Sequence, residues 1–332
     1  MDLTTTYLGL KLAHPVVVGA GPLGDELDRV RALEDAGAAA LVLRSLYEEE
    51  ITGEQMEAFL ETEGHNELSA EAESFTPDPL LPFGPDEYLE HLRRVKAAVA
   101  IPVVASLNGV TPGGWMSYAR SMQDAGADAL ELHIYHASSD MTLSAADVER
   151  QAIEIVSEVK RSVRIPVAVK ISALQTAFAH FAKQLDDAGA DGLVLFTRYQ
   201  RVDIDVDELE IVRTTTLSDS SELTMRLRGA AALSGRIRAS IAISGGVHTA
   251  LDVVKATMTG AHVTQMVSAL LKHGPQHIRR VLHDLQVWLV EHEWNALGEM
   301  RGNMSLERIP DPAAYERANF RAALSARTVG SA

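Results

Sequence analysis

Lys170 is the residue of this chain whose type and position point most directly to chemistry. It stands near the end of a short apolar run, Val-Ala-Val-Lys-Ile, over 167–171. An ammonium group in such a strand needs an anion or a polar ligand beside it, because desolvating an unpaired charge is costly. Three roles are open to Lys170: a Schiff-base nucleophile, a group that stabilises negative charge on a cofactor, or one half of a structural ion pair.

Two histidines, His133 and His136, close another apolar run at positions three apart. In an extended strand this spacing points the side chains to opposite faces, so a shared metal ion would require a turn between them. We therefore predict no metal site. A histidine beside a pocket is suited to proton transfer, since its ordinary pKa is ~6.5. A hydrogen-bonded pocket wall is the alternative for both residues, and we favour it for His133.

Paired glycines, Gly245–Gly246, end a third apolar run over 240–244. Val267–Ser268 closes a further strand-like run over 262–266. In a (β/α)8 barrel, the loops after strands 7 and 8 bind a phosphate dianion through their backbone N–H groups. Paired glycines are also common in ordinary turns, so the phosphate interpretation depends on six further strand–helix units before them.

Other polar residues also end predicted strands. Arg44 can bind a phosphate or a substrate carboxylate, or it can pair with one of the glutamates at 48–50. Asn108 can hydrogen-bond the edge of a ring, or it can stabilise a turn. The other residues at these strand ends are Gly19, Ala20, Gly21, Ser45, Thr197, Arg198, Ser244 and Gln265.

The elements that must position these residues alternate as strand and helix eight times. The strand-like runs lie near 16–19, 39–43, 103–107, 129–134, 167–171, 192–196, 240–244 and 262–266. The helical patterns lie near 26–36, 86–99, 113–125, 144–162, 176–188, 226–234, 250–259 and 275–292. Nearly continuous apolar strands are typical of parallel sheets. We predict a single (β/α)8 barrel domain over 1–332, since an open doubly wound sheet explains neither the count nor the paired glycines.

Part of this alternation is an internal repeat. The Ile-Pro pair at 101–102 returns at 165–166, and Asp-Ala-Gly-Ala-Asp at 124–128 returns at 187–191. In each copy we expect the glycine to end a helix in the left-handed conformation and to lead into a strand. The spacing of the copies corresponds to two strand–helix units.

Three stretches exceed the minimal strand–helix unit. Residues 44–85 and 197–225 are long loops after strands, which we interpret as lids or binding loops, with solvated decoration as the alternative. The extension over 293–332 contains a predicted helix at 313–324. We expect this extension to pack on the barrel or on a partner subunit.

Composition limits the class of function. Hydrophobic residues make up 46% of the chain, enough for a large core, and cysteine is absent. No apolar run approaches the ~18 residues of a membrane span. The formal charge of −16 opposes binding to nucleic acid or anionic lipid, both of which require clustered lysine and arginine. We expect a cytoplasmic, homodimeric enzyme with a small-molecule substrate.

Taken together, the motifs resemble the class 1 dihydroorotate dehydrogenase family of FMN-containing barrels. The first half of the likeness is Tyr-Leu-Gly-Leu-Lys-Leu-Ala-His-Pro at 7–15, Ile-Pro-Val-Val-Ala-Ser-Leu-Asn-Gly at 101–109 and Gly-Ala-Asp-Ala-Leu-Glu-Leu at 126–132. The second half is Ile-Pro-Val-Ala-Val-Lys-Ile at 165–171, Ile-Ser-Gly-Gly-Val at 243–247 and Gln-Met-Val-Ser-Ala-Leu at 265–270. The likeness covers nearly the whole chain, and the order and spacing of the motifs make it specific.

The resemblance implies an FMN cofactor and a place in pyrimidine metabolism. Its phosphate would be held by Gly245, Gly246, Val267 and Ser268. Lys170 would support negative charge on the reduced flavin, and the glycines at 19–21 would approach the flavin ring. Arg44 and Ser45 stand where the family has Lys-Ser. The predicted set is completed by Ala20, Asn108, His133, Thr197, Ser244 and Gln265.

The chain departs from the family at the fourth strand. The family's Glu-Leu-Asn-Leu-Ser-Cys-Pro-Asn is replaced by Glu-Leu-His-Ile-Tyr-His-Ala-Ser over 131–138, so His136 stands in place of the catalytic cysteine. His133, Ser138 and Thr197 replace asparagines, and the family's Asn-Met-Gly-x-x-Asn stretch is not evident within 44–85. Those asparagines are expected to hold the polar ring of dihydroorotate. Their loss argues against that substrate, because ring polar groups would be left unpaired.

We therefore predict an FMN-dependent oxidoreductase that transfers hydride between the flavin and a CH–CH group of a small substrate. His136 is the candidate catalytic base, with Tyr135 and Ser138 in reserve, and Lys170 is the second catalytic residue. Any iron–sulfur or nicotinamide partner must lie on a separate chain. The alternatives are a flavin-binding barrel that has lost catalysis and serves in a redox complex, or a Schiff-base aldolase that uses Lys170.

Overall fold

The computed structural model describes residues 1–53, 84–111, 113–134, 140–198, 203–207, 210–212 and 216–325. In chain order, its strands are β1 (Thr5–Tyr7), β2 (Leu10–Leu12), β3 (Val16–Val18), β4 (Leu41–Tyr47), β5 (Val103–Asn108), β6 (Ala129–His133), β7 (Val167–Ile171), β8 (Gly192–Leu195), β9 (Asp203–Asp205), β10 (Glu210–Val212), β11 (Ser240–Ser244) and β12 (Val263–Met266). The strands β3-β4-β5-β6-β7-β8-β11-β12 form a closed parallel barrel in that order. The predicted (β/α)8 barrel is confirmed.

The helices surround this barrel. They are α1 (Leu27–Asp35), α2 (Pro85–Ala98), α3 (Tyr118–Asp124), α4 (Ala145–Ser162), α5 (Phe178–Asp187), α6 (Leu223–Leu233), α7 (Ala250–Met258), α8 (Ser268–His273), α9 (His277–Glu291), α10 (Leu297–Met300) and α11 (Pro312–Ser325). Eight of them, α1 to α7 and α9, occupy the predicted places between and after the strands. As expected, Gly126 and Gly189 follow α3 and α5 with φ values of +97° and +98°.

Side chains alternate between the two faces of the barrel strands, and the inward-facing ones form their own buried cluster. Its strand members are Val17, Val42, Val104, Ala129, Ala168, Val194, Ala242 and Val263. The antiparallel β1–β2 hairpin closes the amino end of the barrel with Tyr7, Leu8 and Leu12, which belong to the same cluster. Apolar residues therefore fill the lower half of the barrel, and polar residues are confined to its carboxyl end.

The internal repeat is visible in the hydrogen bonds. Asp128 Oδ2 accepts from Lys96 Nζ at 2.6 Å and from the Val103 N–H at 2.7 Å. In the second copy, the same two bonds are made by Asp191, Lys160 and Val167, at 2.5 and 2.7 Å. Each aspartate thus joins a helix, the strand that follows it and the loop before the next strand.

Strand β4 differs most from its predicted bounds of 39–43, since it begins at Leu41 and continues to Tyr47. A bulge between Val42 and Ser45 lets its polar end pair with β5, where Tyr47 lies opposite Asn108. A search for apolar runs misses this extension because it contains an arginine and a serine. The β1–β2 and β9–β10 hairpins were not predicted either.

Part of the C-terminal extension contacts the barrel. The Met304 and Leu306 N–H groups donate to the carbonyls of Met258 and Ala231, at 2.9 and 2.8 Å. In α11, Glu316 pairs with Arg228 of α6 at 2.7 Å. Within the described ranges, no helix has both the length and the apolar character needed to cross a membrane.

The contact between the hairpin and the barrel leads to a stability prediction. A Cβ atom on Gly192 would lie 2.5 Å from Leu8 Cδ2 and 3.3 Å from the Ser240 carbonyl oxygen. We expect Gly192→Ala to lower the free energy of unfolding by about 1–3 kcal/mol through overpacking. Adding Leu8→Ala should relieve this clash, so the two losses will be less than additive. Urea denaturation measures both effects.

Gly298→Ala is the matched control, since a Cβ atom there meets nothing within 4 Å. A Gly192→Ala variant as stable as this control would contradict the close packing of the hairpin against the barrel.

Candidate active site

Three of the predicted residues lie side by side on neighbouring strands at the carboxyl end of the barrel. Asn108 of β5 is in register with His133 of β6, and His133 is in register with Lys170 of β7. The adjacent layer toward the amino end contains Ser45, Ser106 and Glu131. Because these positions alternate with outward-facing apolar residues, the pleat of each strand directs them into the barrel.

A buried carboxylate, Glu131, connects the two sides of the barrel. Its Oε1 accepts from Lys170 Nζ at 3.1 Å, and its Oε2 accepts from Gln265 Nε2 at 2.6 Å. Lys170 lies on the neighbouring strand β7, whereas Gln265 lies on β12, diametrically opposite β6 in the barrel order. The side chain of Glu131 is 1% exposed and that of Lys170 is 11% exposed. A charge pair at this depth depends on complete hydrogen bonding.

This ion pair bears on the three roles open to Lys170. The contact between Lys170 Nζ and the Glu131 carboxylate is an ion pair, whereas a Schiff-base nucleophile must be a neutral amine. The charge of Glu131 also acts on Tyr7 in the β1–β2 hairpin. Burial is the larger cause and the charge of Glu131 the smaller one, and together they raise the pKa of the Tyr7 hydroxyl well above its ordinary value. The geometry supports Lys170 as a fixed positive charge that is compensated from within the barrel.

His133 bridges two other predicted residues. Asn108 Nδ2 donates to His133 Nδ1 at 2.9 Å, and His133 Nε2 lies 2.8 Å from Thr197 Oγ1. Since Nδ1 accepts, the neutral ring carries its proton on Nε2 and donates it to Thr197. Burial and the charge of Lys170 lower the pKa of His133 from 6.5 to about 3. At neutral pH His133 is therefore an uncharged, hydrogen-bonded wall of the site.

The glycines after β3 lie close to the loop after β12. A Cβ atom on Gly19 would lie 3.0 Å from both Gln265 Cβ and Val267 Cγ2. A Cβ atom on Gly21 would lie 3.1 Å from Val267 Cγ1. The side chain of Val267 thus packs against both glycines, with Ala20 partly buried between them. The structure brings these predicted residues together. The close approach of Val267 explains why positions 19 and 21 are occupied by glycine.

The paired glycines after β11 adopt the left-handed conformation, with φ values of +89° at Gly245 and +74° at Gly246. A Cβ atom on Gly245 would lie 2.7 Å from Arg226 Nη2, and one on Gly246 would lie 2.5 Å from the Leu223 nitrogen. Arg226 is buried and donates to the carbonyl of Ser244. Burial lowers the pKa of Arg226 from its ordinary value. A desolvated guanidinium beside a glycine-rich turn is suited to bind an anion.

Part of the long loop over 197–225 is fixed beside the predicted phosphate residues. The Ser218 N–H donates to Ser268 Oγ at 3.1 Å, and Ser220 Oγ donates to Asp252 Oδ2 at 2.7 Å. Arg198 pairs with Glu222 at 3.1 Å, and both residues line a cavity of about 310 Å³. Thr197 and Arg226 also line this cavity. The loop therefore carries charged groups to the carboxyl end of the barrel.

Arg44 has a partner that the sequence did not indicate. It pairs with Asp25 at 2.5 Å, not with any of the glutamates at 48–50. Glu48 instead accepts from the Val110 N–H at 2.8 Å. Ser45 Oγ lies 2.7 Å from Ser106 Oγ, so the side chain of this second predicted residue is also engaged within the protein.

Sequence reasoning missed two residues of the site. Glu131 is an acid within the apolar run Ala-Leu-Glu-Leu at 129–132, so the argument that selected Lys170 applies to it equally. Arg226 belongs to α6, away from any strand end, and only the tertiary structure brings it to Gly245. His136, Tyr135 and Ser138 lie outside the described residues, so their assigned roles stay predictions.

The comparisons with known proteins agree with this architecture. A family model described as dihydroorotate dehydrogenase matches residues 2–289. The chain is 25% identical over 306 residues to the dihydroorotate dehydrogenase B (NAD(+)) catalytic subunit of Thermoplasma acidophilum, an alignment that covers 91% of this chain and 98% of that protein. It is 24% identical over 306 residues to the protein of the same name from Methanothermobacter thermautotrophicus, with 90% and 97% covered.

A closed (β/α)8 barrel with a polar carboxyl end is a frequent architecture among enzymes. The match over most of its length is more specific: the chain belongs to the dihydroorotate dehydrogenase family. The resemblance found in the sequence is thereby confirmed, and so is the predicted enzyme class, an oxidoreductase acting on CH–CH groups.

The buried ion pair predicts the effect of removing one partner. Lys170→Met leaves the Glu131 carboxylate buried without its countercharge, which should lower the free energy of unfolding by about 3–5 kcal/mol. Combining Lys170→Met with Glu131→Gln removes both charges and should restore most of this loss. Urea denaturation of the two single variants and the double variant forms a double-mutant cycle. Purely additive losses would show that the pair does not couple the two strands.

The neutral state of His133 predicts a pH dependence. Below pH 6.5 the unfolded chain protonates this residue, whereas folded His133 stays neutral until about pH 3. The folded state therefore loses stability as pH falls through this window, by at most about 1.4 kcal/mol per pH unit. His133→Asn should show a shallower decline than the wild type in thermal melts from pH 6.5 to pH 4. Substitution of the exposed His283 by asparagine is the control and should retain the wild-type slope.

Proposed function

We propose that the chain is an FMN-dependent oxidoreductase that exchanges hydride with a CH–CH group of a small molecule. The observation that carries the proposal is the buried network of Lys170, Glu131 and Gln265, at the carboxyl end of a barrel of this family. A compensated positive charge in a desolvated site can stabilise negative charge that develops during reaction. This favours a redox cofactor over a Schiff base as the partner of Lys170.

The residues at the carboxyl end fit the phosphate of FMN. Gly245 and Gly246 both have positive φ values, and the buried guanidinium of Arg226 lies close to the first of them, where a phosphate could be bound. Ser268 would add its hydroxyl group at the start of α8. When bound, FMN would supply the hydride-transfer chemistry that side chains lack.

The other half of the reaction is a proton transfer. When a CH–CH bond is oxidised to C=C, one carbon loses a hydride to the cofactor and its neighbour loses a proton to a base. His133 is a poor base because its pKa is lowered to about 3. This supports His136, which stands in place of the family's cysteine, as the base that takes the proton.

We further propose that the substrate is not dihydroorotate. Both ring nitrogens of His133 have protein partners, Asn108 and Thr197. The ring can therefore make fewer hydrogen bonds to a ligand than the asparagine that it replaces. Thr197 accepts from His133, which leaves its hydroxyl hydrogen to donate elsewhere. A substrate with a hydrogen-bond acceptor facing Thr197, and few other polar ring groups, matches this arrangement.

An electron-transfer partner on a separate chain and a homodimeric state complete the proposal. Two relatives are named as catalytic subunits of NAD(+)-linked enzymes, which supports a partner of this kind. The chain has no cysteine with which to hold an iron–sulfur cluster itself.

The visible spectrum of the purified protein tests the central proposal. We expect a yellow protein that releases FMN on denaturation, with one flavin per chain by absorbance. Under anaerobic conditions, dithionite should bleach the flavin, whereas dihydroorotate at millimolar concentration should not. A colourless protein that takes up no added FMN would refute the cofactor, and rapid bleaching by dihydroorotate would refute the substrate proposal alone.

The base is tested once a reducing substrate has been found. His136→Asn should keep its bound FMN but reduce it at least ~100-fold more slowly, the usual contribution of a general base. Flavin bleaching in a stopped-flow instrument measures this rate directly. A variant with unchanged reduction kinetics would assign the base elsewhere, with Tyr135 and Ser138 next to be substituted.

A further inference from the structure

The network beneath the proposed cofactor site contains an acceptor without a donor. Gln265 is 1% exposed, and its Oε1 has no hydrogen-bond partner within the described part of the chain. Its orientation is fixed by chemistry, because turning the amide over would bring two oxygens together where Nε2 now donates to Glu131 at 2.6 Å. Buried polar atoms are rarely left unpaired, so this oxygen requires an explanation.

The position of that oxygen indicates what it is for. A Cβ atom on Gly19 would lie 3.4 Å from Gln265 Oε1, so the acceptor lies beside the glycines at the end of β3. On the other side of Glu131, Lys170 uses one hydrogen bond to the carboxylate, and its ammonium group has three N–H donors. A largely buried ammonium group with further N–H donors and an unpaired acceptor are thus both oriented by a single carboxylate.

We propose that Glu131 is a positioning residue that holds Lys170 and Gln265 ready for the cofactor and offsets the charge of Lys170. This inference rests on the proposed function. The matching ligand chemistry is an edge that carries a carbonyl group and a neighbouring N–H group, as the pyrimidine ring of a flavin does. Lys170 would donate to the carbonyl oxygen, and Gln265 Oε1 would accept from the N–H group.

The two roles of Glu131 have separable consequences. Its negative charge opposes the stabilising effect of Lys170 on the reduced cofactor, so removing that charge should favour the reduced form. Its hydrogen bonds hold the two side chains, so shortening it should disturb their orientation while keeping the charge. A purely structural role would change stability but would leave the reduction potential of the bound flavin unchanged.

The test is a spectroelectrochemical titration of the FMN-loaded protein at pH 7. We expect Glu131→Gln to raise the ratio of reduced to oxidised flavin at least tenfold at a fixed potential, which is about 30 mV for a two-electron couple. Asp128→Asn is the matched control, since it also removes a carboxylate paired with a lysine, 2.6 Å from Lys96, but just before β6 begins. This control should leave the potential at the wild-type value.

Two further variants keep the inference testable if Glu131→Gln fails to fold. Glu131→Asp keeps the charge and should shift the potential less than Glu131→Gln. Combining Glu131→Gln with Lys170→Met removes both charges and should bring the potential back below that of the single variant. If Glu131→Gln binds FMN with an unchanged or lowered potential, the inference is overturned while the proposed function stands. A wild-type protein that takes up no FMN overturns both.

Discussion

The polar end of this barrel depends on the hydrogen bonds of one buried carboxylate. Glu131 on β6 accepts from Lys170 on the adjacent strand and from Gln265 on the opposite strand. A charge at 1% exposure would be very unfavourable alone, so each partner is needed to keep the others in place. The network also fixes the boundary between the apolar lower half of the barrel and the polar upper half, where a ligand can be recognised.

The barrel around this network repeats one kind of hydrogen bond, from a strand's first N–H group to an aspartate. The aspartates at the ends of the two repeat copies, Asp128 and Asp191, fix the starts of β5 and β7 through the N–H groups of Val103 and Val167. Fixing where a strand begins also fixes which of its residues face inward, because the side-chain period is two. The candidate site residues at the carboxyl ends thus owe their orientation partly to bonds at the amino ends.

The chain retains the family's barrel but alters the chemistry of one side of its site. His133 stands where the family has an asparagine, and it is bound at both nitrogens and kept neutral by burial and by Lys170. The side containing Lys170, Glu131 and the paired glycines carries the charged groups on which the proposal of a phosphorylated cofactor rests. This division is compatible with clear membership of the family and with the proposal that the substrate is not dihydroorotate.

The sequence by itself determined the fold class, the strand and helix order and the identity of most strand-end residues. These follow from local patterns, since apolar runs, helix-ending glycines and the repeat at 124–128 and 187–191 are readable along the chain. Only the tertiary structure decided which side chains are partners: Arg44 with Asp25, Arg226 with the Ser244 carbonyl, and Glu131 with Gln265 across the barrel. The physical reason is that these contacts join different elements. Glu131 and Gln265 lie 134 residues apart and meet only because the barrel closes, whereas the two arginines reach neighbouring strand–helix units through the packing of those units.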